Sequence, residues 1–520
     1  MKRHLVICTV ASLVSGTISG GQLAAEPNSA IPWLSESLKA ETGRNWQNGV
    51  GPLPGNDAID ISPLDDETLD GKGILPQDQT GFPKNLWGKS SSLRVRKALL
   101  NHEVGGVPEV RAAFIRILLA ETTTPLGSTS KSEVLLTRVD RLMELGALDQ
   151  AEALLKHTGY QDHEQFRRAF DVAILTERTG KVCRDLRTTP SLSPTLPARI
   201  FCLARSGDWN AAEITMSLGR EIGDISPEKE EVLAWFLDPQ LFEGEKAPPI
   251  PDPITALDYV MRDAVALPRP SGSLPLAFLH IDIHEEAPMR ARIEAGERLV
   301  RSGVVAPNVL FHAYRAGKPA ASGGVWDRAD VVQKLDRAFG NKDISEIEKR
   351  LEEADYLLSD HGLRLALAMS YADNLSRMNT SDFSRAARNQ IFELLLLAGE
   401  TSRARDWLGA SQAPRQQLLL HLIDAETAVP DEARLDDMEK AAYAGLDTLP
   451  GYSEEAEYYV EMASSGQTGI VLLKILEMLS DGLETDPGDL RTALHVLNRI
   501  GLSKIARRIA LETLLLQPRA

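Results

Sequence analysis

Apolar residues recur along most of this 520-residue chain at the spacing of an α-helix rather than at the alternation of a β-strand. One buried helical stripe follows the i, i+3, i+4, i+7, i+8 pattern at Phe166, Ala169, Phe170, Ala173 and Ile174. Aromatic residues make up only 5% of the chain, and Leu and Ala dominate the apolar set. This composition favours helices over sheets, so the pattern predicts an all-α fold.

A short skeleton occurs four times, and each copy predicts a helical hairpin. In every copy a Leu lies four residues before a Gly, and an Ala lies five residues after it. Leu closes one face of the first helix, Gly turns the chain without steric cost, and Ala lets the second helix approach closely. The predicted turn residues are Gly146, Gly207, Gly399 and Gly501. Four copies over most of the chain predict an α-solenoid of stacked helical hairpins.

With one further position, the skeleton resembles the hairpin of the tetratricopeptide repeat (TPR). Four residues after the Ala stand Leu155, Met216, Leu408 and, in the last copy, Ala510, and Pro518 stands where that repeat usually ends with proline. The aromatic and second-glycine positions of the family's first helix are absent, and the turn glycines are spaced at only loose multiples of its repeat length. The resemblance implies a degenerate TPR-like protein of the bacterial cell envelope, with protein or peptide binding on a concave face and no catalysis.

Prolines and turn residues divide the chain into segments. Residues 26–90 are rich in Gly, Pro, Asp and Asn and keep no period for more than a few residues, which predicts a disordered N-terminal leader. The remaining predicted segments are a first helical block over 91–243, a Pro-rich break over 244–275, a second helical block over 276–316, a loop over 317–324 and a third helical block over 325–520.

Residues 1–25 have the pattern of a secretory signal. Lys2 and Arg3 precede an apolar core, and Ala24-Ala25 offers a cleavage site before Glu26. The core is shorter than the about 20 residues that a membrane span needs. No later stretch of the sequence is apolar over such a length, so we expect no direct membrane insertion after cleavage. The sequence therefore predicts a periplasmic protein, and an uncleaved anchor is the alternative.

Cys183 and Cys202 are the only cysteines outside the signal. An even pair in an oxidising compartment predicts a disulfide. Their spacing is unlike Cys-x-x-Cys, which disfavours a reactive pair.

The formal net charge of −17 disfavours nucleic acid and anionic lipid as partners, because both repel an acidic surface. We expect another cell-envelope protein as the partner, and the oligomeric state stays open. The candidate partner-binding residues are the apolar islands of the leader: Ile31, Trp33, Leu34, Trp46 and Trp87. These islands either capture a partner as a short linear motif or pack back onto the helical body, since Trp needs a place of burial.

The densest set of metal-ligand residue types is His280-x-Asp282-x-His284. On a helix the two histidines share a face, whereas Asp282 points away, and no second cluster at metal-site spacing follows. The catalytic patterns Gly-x-Ser-x-Gly, His-Glu-x-x-His and Gly-x-Gly-x-x-Gly are absent. We therefore predict no catalytic residue, no metal and no cofactor.

Taken together, these patterns predict a non-enzymatic periplasmic scaffold or adaptor that binds another envelope protein or peptide. Two alternatives stay open. One is an accessory or enzyme of cell-wall metabolism, with a site built from scattered acids such as Glu285 or Glu286. The other is a metal-binding protein that uses His280 and His284.

Overall fold

The computed structural model describes residues 31, 33, 34, 68–160, 162–408, 413–424, 431–446 and 453–517. Within these residues the chain forms 24 α-helices and no β-strand, which confirms the predicted all-α fold class. None of the helices in this part of the chain is both long and apolar enough to cross a membrane.

Ten helices precede the Pro-rich break. They are α1 (Gln77–Thr80), α2 (Ser92–Asn101), α3 (Pro108–Leu119), α4 (Glu133–Glu144), α5 (Leu148–Thr158), α6 (His163–Leu175), α7 (Gly180–Thr188), α8 (Leu196–Arg205), α9 (Trp209–Glu221) and α10 (Pro227–Leu237). Four more lie within or after the break, up to residue 341, together with a 3-10 helix over Leu276–Ile283. They are α11 (Ala256–Ala264), α12 (Met289–Arg301), α13 (Pro307–Arg315) and α14 (Val325–Asn341).

The C-terminal part contains the last ten helices. They are α15 (Ile344–Ser359), α16 (Arg364–Ser376), α17 (Arg385–Ala398), α18 (Thr401–Asp406), α19 (Pro414–Ile423), α20 (Asp437–Gly445), α21 (Glu454–Met462), α22 (Thr468–Met478), α23 (Pro487–Arg499) and α24 (Ser503–Leu516). Consecutive helices pack together in pairs such as α8 with α9, α14 with α15, α16 with α17 and α23 with α24.

The turn glycines of the repeated skeleton lie between consecutive helices and have positive φ. The angles are +75° at Gly146, +81° at Gly207, +87° at Gly399 and +86° at Gly501. The Ala five residues further on is fully buried in every copy, at positions 151, 212, 404 and 506. Four helical hairpins therefore share one turn geometry and one close contact.

The end of the segment predicted to be disordered is folded. In residues 68–90 the side chains of Leu69, Phe82 and Trp87 are buried. A carboxylate oxygen of Asp70 accepts a hydrogen bond from the backbone N–H of Leu135 at 2.9 Å, so Asp70 caps the N-terminus of α4 from a distant position in sequence. The prediction of disorder is wrong for residues 68–90, because these residues have no helical or alternating period of their own and are instead held in place by contacts with residues distant in sequence. The rest of the predicted leader, apart from residues 31, 33 and 34, lies outside the described residues.

Arg138 on α4 fixes the same segment. Its guanidinium donates hydrogen bonds to the carbonyls of Leu118 and Ala120 at the end of α3, and to those of Asp70 and Lys72. Burial lowers the pKa of Arg138 to about 10, with nearby Asp70 opposing the shift, so the side chain keeps its charge at neutral pH. One buried cation thus joins α3, α4 and the folded end of the leader.

The two ends of the described chain contact each other. α2 packs against α22, and α3 packs against both α22 and α24. We call the part of this contact that lies between residues 86–106 and 466–482 the terminal interface. In an open solenoid each repeat contacts only its neighbours. The solenoid arrangement therefore stays a prediction, while the all-helical architecture is shown.

Glycines allow the backbones to approach closely at the terminal interface. A Cβ atom at Gly469 would lie 2.6 Å from the ring of the buried Trp87, and one at Gly105 would overlap the carbonyl of Ser480. The N–H of Gly106 donates to the same Ser480 carbonyl at 2.7 Å. Side chains larger than hydrogen would separate the two ends.

Cys183 on α7 and Cys202 on α8 lie at disulfide distance, as the sequence predicts, with their Cα atoms 5.0 Å apart. Both side chains are buried. The bridge joins two helices that are already in contact, and a disulfide pair is compatible with an oxidising compartment.

The change Gly469→Ala tests the terminal interface. We expect it to lower the free energy of unfolding by about 1–3 kcal/mol, because the new methyl group meets the ring of Trp87. Gly340→Ala in α14 is the matched control, since nothing lies within 4 Å of a Cβ there. That change should raise the free energy by up to about 1 kcal/mol through helix propensity. Urea denaturation measures both, and equal effects would contradict the close packing.

Removal of the disulfide by Cys183→Ala with Cys202→Ala should lower the free energy of unfolding by about 3 kcal/mol. The physical reason is that the bridge closes a loop across a sequence separation of 19 residues. Urea denaturation of the variant and of the reduced native protein should give the same loss. Peptide mapping without reductant should find the two cysteines linked, and free thiols in protein from an oxidising compartment would refute the bridge.

Candidate functional site

The first apolar island of the leader packs against the helical body. Ile31, Trp33 and Leu34 are at most 7% exposed. The Trp33 ring meets Phe278 edge-on, with centroids 5.3 Å apart, and the Trp33 carbonyl accepts a hydrogen bond from the N–H of Ala256 at 3.1 Å. In this arrangement Trp33 contacts the start of α11 and the 3-10 helix, and all three side chains are buried.

The other two tryptophans lie elsewhere. Trp87 is buried at the terminal interface, where the preceding carbonyl of Leu86 accepts a hydrogen bond from the N–H of Gly469 at 2.8 Å. Trp46 lies outside the described residues. Trp33 and Trp87 therefore contact different parts of the body, and the structure does not bring them together in one recognition motif.

The side chains of His280, Asp282 and His284 make separate contacts and do not converge on one point. His280 Nε2 lies 2.7 Å from the carbonyl of Gly146, Asp282 accepts a hydrogen bond from Arg269 at 2.7 Å, and His284 is partly exposed. Across the residues that the structure describes, no group of three or more His, Cys, Asp and Glu side chains could hold a metal ion. His280 instead fixes the first repeat turn against the 3-10 helix.

The two carboxylates considered for catalysis, Glu285 and Glu286, are exposed, whereas a third carboxylate, Glu512, is buried. The Glu285 side chain is 82% exposed, and Glu286 is exposed as well. Burial raises the pKa of Glu512 on α24, and Arg508 opposes this shift. Glu512 accepts hydrogen bonds from the backbone N–H of Glu109 at 2.6 Å and from Arg508 at 2.7 Å. It thereby ties α24 to the start of α3.

The most distinctive surface lies on α9, which buries small residues and exposes large apolar ones. Ala212 is fully buried, and a Cβ atom at Gly219 would lie 2.5 Å from Leu196 on α8. These small side chains allow α9 to pack closely on α8. The body-facing side of α9 is therefore already filled without its large aliphatic residues.

Three large aliphatic side chains point to solvent from the other side. Ile214, Leu218 and Ile222 are 61%, 61% and 68% exposed. Their spacing of four residues places them about 6 Å apart along one line of the helix. We call these three residues the α9 stripe. The larger apolar patches on the surface of monomeric proteins are often functional, which makes the stripe a candidate binding surface.

Acidic residues accompany the α9 stripe. Glu213 and Asp224 form no ion pair with any other residue in the described part of the chain. Arg220, the nearby cation, already pairs with Glu221 and Glu230 at 3.0 Å each. The surroundings of the stripe are therefore negatively charged.

Sequence reasoning missed the α9 stripe because an apolar period predicts only that one face of a helix is buried. The signal was present in residue size: Ala212 and Gly219 share one side of α9, and the branched aliphatic residues share another. A helix with two apolar sides can bury only the side that fits its neighbour.

Comparisons with protein-family models, curated proteins and solved structures find no match to this chain.

The burial of His280 predicts a pH-dependent stability. Burial lowers the pKa of His280, and the hydrogen bond to Gly146 and the charge of Asp149 oppose the shift. Below about pH 6.5 the unfolded chain takes up a proton at this imidazole that the native protein resists, so the native state loses stability as the pH falls.

Urea denaturation at pH 7.5 and pH 5.5 measures this loss, which should be larger for the native protein than for His280→Gln. His312→Gln is the control, because the His312 side chain is 67% exposed, and it should leave the loss unchanged. The same loss in all three proteins would show that His280 does not contribute.

Proposed function

We propose that this protein is a non-enzymatic scaffold or adaptor that binds another protein through the α9 stripe. The observation that supports the proposal is that α9 buries its small residues and exposes its large aliphatic ones. Small residues fill the contact with α8, so Ile214, Leu218 and Ile222 gain nothing from the fold of this chain. Burial of each of them against a partner would contribute about 1.5–3 kcal/mol.

The partner is proposed to present an apolar helix or patch with basic side chains at its rim. The reason is charge complementarity: Glu213 and Asp224 accompany the stripe without an ion-pair partner among the described residues, and the whole chain carries a net charge of −17. Opposite charges at the rim speed association and fix the orientation, while the apolar centre supplies the affinity.

The partner is further proposed to be another protein of the bacterial cell envelope, with this chain in the periplasm. The signal pattern of residues 1–25 and the disulfide pair on α7 and α8 support an oxidising compartment outside the cytoplasm. The TPR-like hairpins support the same class of function, since such repeats present helix surfaces to proteins and peptides.

A photo-crosslinking amino acid at Asn210, which is exposed at the start of α9, tests the proposal in cells that produce the protein. The protein captured there is purified and its affinity is measured by isothermal titration. Ile214→Ser with Leu218→Ser and Ile222→Ser should weaken binding at least tenfold. The three positions are exposed, so the thermal stability should stay the same.

Tyr356→Ser on α15 is the matched control, because Tyr356 is 76% exposed and lies on a different helix. It should leave the affinity unchanged. Equal affinity of the purified partner for the triple variant and the native protein would refute the proposal. Light scattering of the native protein adds a second check. If the native protein is a dimer and the triple variant is a monomer, the partner of the α9 stripe is a second copy of this chain and not another protein.

A further inference from the structure

A cavity of about 260 Å³ lies at the terminal interface, between one face of α2 and one face of α22. The α2 face consists of residues at i, i+3, i+4 and i+7: Arg94, Lys97, Ala98 and Asn101. This volume is close to the lower end of the about 300–1,000 Å³ that is typical of small-molecule sites, so a ligand here would be small.

The α22 face has the same spacing and a different chemistry. It consists of Ile470, Leu473, Lys474 and Glu477, and the first two are buried. The cavity therefore has an aliphatic floor from α22 and cationic side chains around it. Such a combination suits a ligand with one charged end and an apolar body.

The charge of the cavity is opposite to that of the chain. Three cationic side chains and only one carboxylate line it, whereas the whole protein has a net charge of −17. Lys474 pairs with Glu477 at 2.7 Å. Arg94 and Lys97 form no ion pair with any described residue, so two positively charged side chains line the cavity without a paired carboxylate.

A buried imidazole adds a second and independent observation. His102 lines the cavity, is only 5% exposed and lies against Phe114, with ring centroids 4.3 Å apart and the ring planes tilted by 37°. Its Nδ1 is buried and has no hydrogen-bond partner among the described residues. Buried polar atoms are usually paired, and an unpaired one beside cations indicates that a ligand group or ordered water belongs there.

The environment keeps this imidazole neutral. Burial lowers the pKa of His102 to about 4, and Arg141 adds to the shift. A neutral imidazole donates one hydrogen bond and accepts one, and it can therefore complete the contacts of an anion that the neighbouring cations hold.

We propose that this cavity binds a small organic anion whose carboxylate lies against Arg94 and Lys97, the two cations without an ion pair, and whose apolar body lies on Ala98, Ile470 and Leu473. A carboxylate matches the geometry of the Arg94 guanidinium, and its single negative charge is balanced by the two unpaired cations of the cavity. Inorganic anions would leave the aliphatic floor uncovered.

The position of the cavity gives the ligand a structural consequence. α2 and α22 come from opposite ends of the described chain, and a ligand between them contacts both. Because it binds only when the terminal interface is formed, it stabilises that interface by mass action. This proposal is independent of the α9 stripe, which involves other helices.

Isothermal titration and thermal unfolding of the whole protein test the proposal, with 4-phenylbutyrate as the probe. We expect saturable binding at one site per chain and a rise in the unfolding temperature. Acetate, which lacks the apolar body, and 4-phenylbutanol, which lacks the charge, should each bind at least tenfold more weakly. Equal binding of the alcohol and the acid, or no binding of the acid at millimolar concentration, would overturn the proposal.

The double change Arg94→Gln with Lys97→Gln should weaken the binding of 4-phenylbutyrate at least tenfold without loss of stability in the absence of the probe, since both residues are exposed. Arg377→Gln is the matched control: the Arg377 side chain, directly after α16, is 76% exposed and pairs with Asp373 away from the cavity. It should leave the affinity unchanged. Binding that survives the double change would place the probe elsewhere and refute the site.

Discussion

The last carbonyls of an α-helix have no partner within the helix, and in this protein arginines from other helices satisfy many of them. A guanidinium suits this task because it offers five donors and because its charge is favourable near the negative end of the helix dipole. The pairs are Arg138 with Leu118 and Ala120, Arg508 with Leu396 and Leu397, Arg507 with His421 and Leu422, Arg415 with Leu514, and Arg364 with Leu515. These contacts help to fix how the helices are arranged, because each one holds the end of one helix against a residue of another.

Helix α24 gathers most of them. Its arginines reach the ends of α17 and α19, its own last carbonyls accept from α16 and α19, and Glu512 holds the start of α3. Nearly all of its aliphatic residues are buried as well. The last helix of the described chain therefore contacts several other helices. In an open array the final repeat would lie at a free end and contact only one neighbour.

Local sequence patterns predicted what local physics decides. The helical period, the glycine turns such as Gly146 and the pairing of Cys183 with Cys202 follow from residues close in sequence or from counting. The folded end of the leader did not, because Asp70 and Arg138 act across more than sixty residues. The α9 stripe and the interface cavity depend on which neighbour fills each face, and no period in one helix contains that information.

The terminal interface changes how this chain can acquire its structure. An open repeat array can fold in steps from either end, because every contact is between neighbours. Here Trp87 is buried against Gly469, and the N–H of Gly106 donates a hydrogen bond to the carbonyl of Ser480. The first helices therefore cannot form all their native contacts until almost the whole chain has been synthesised. Contacts of such long range are slow to form and leave apolar surface exposed meanwhile. A truncated chain that ends before α22 would therefore expose Leu86 and Trp87 and would be prone to aggregate. We expect the same surface to need protection by chaperones while the chain is being synthesised.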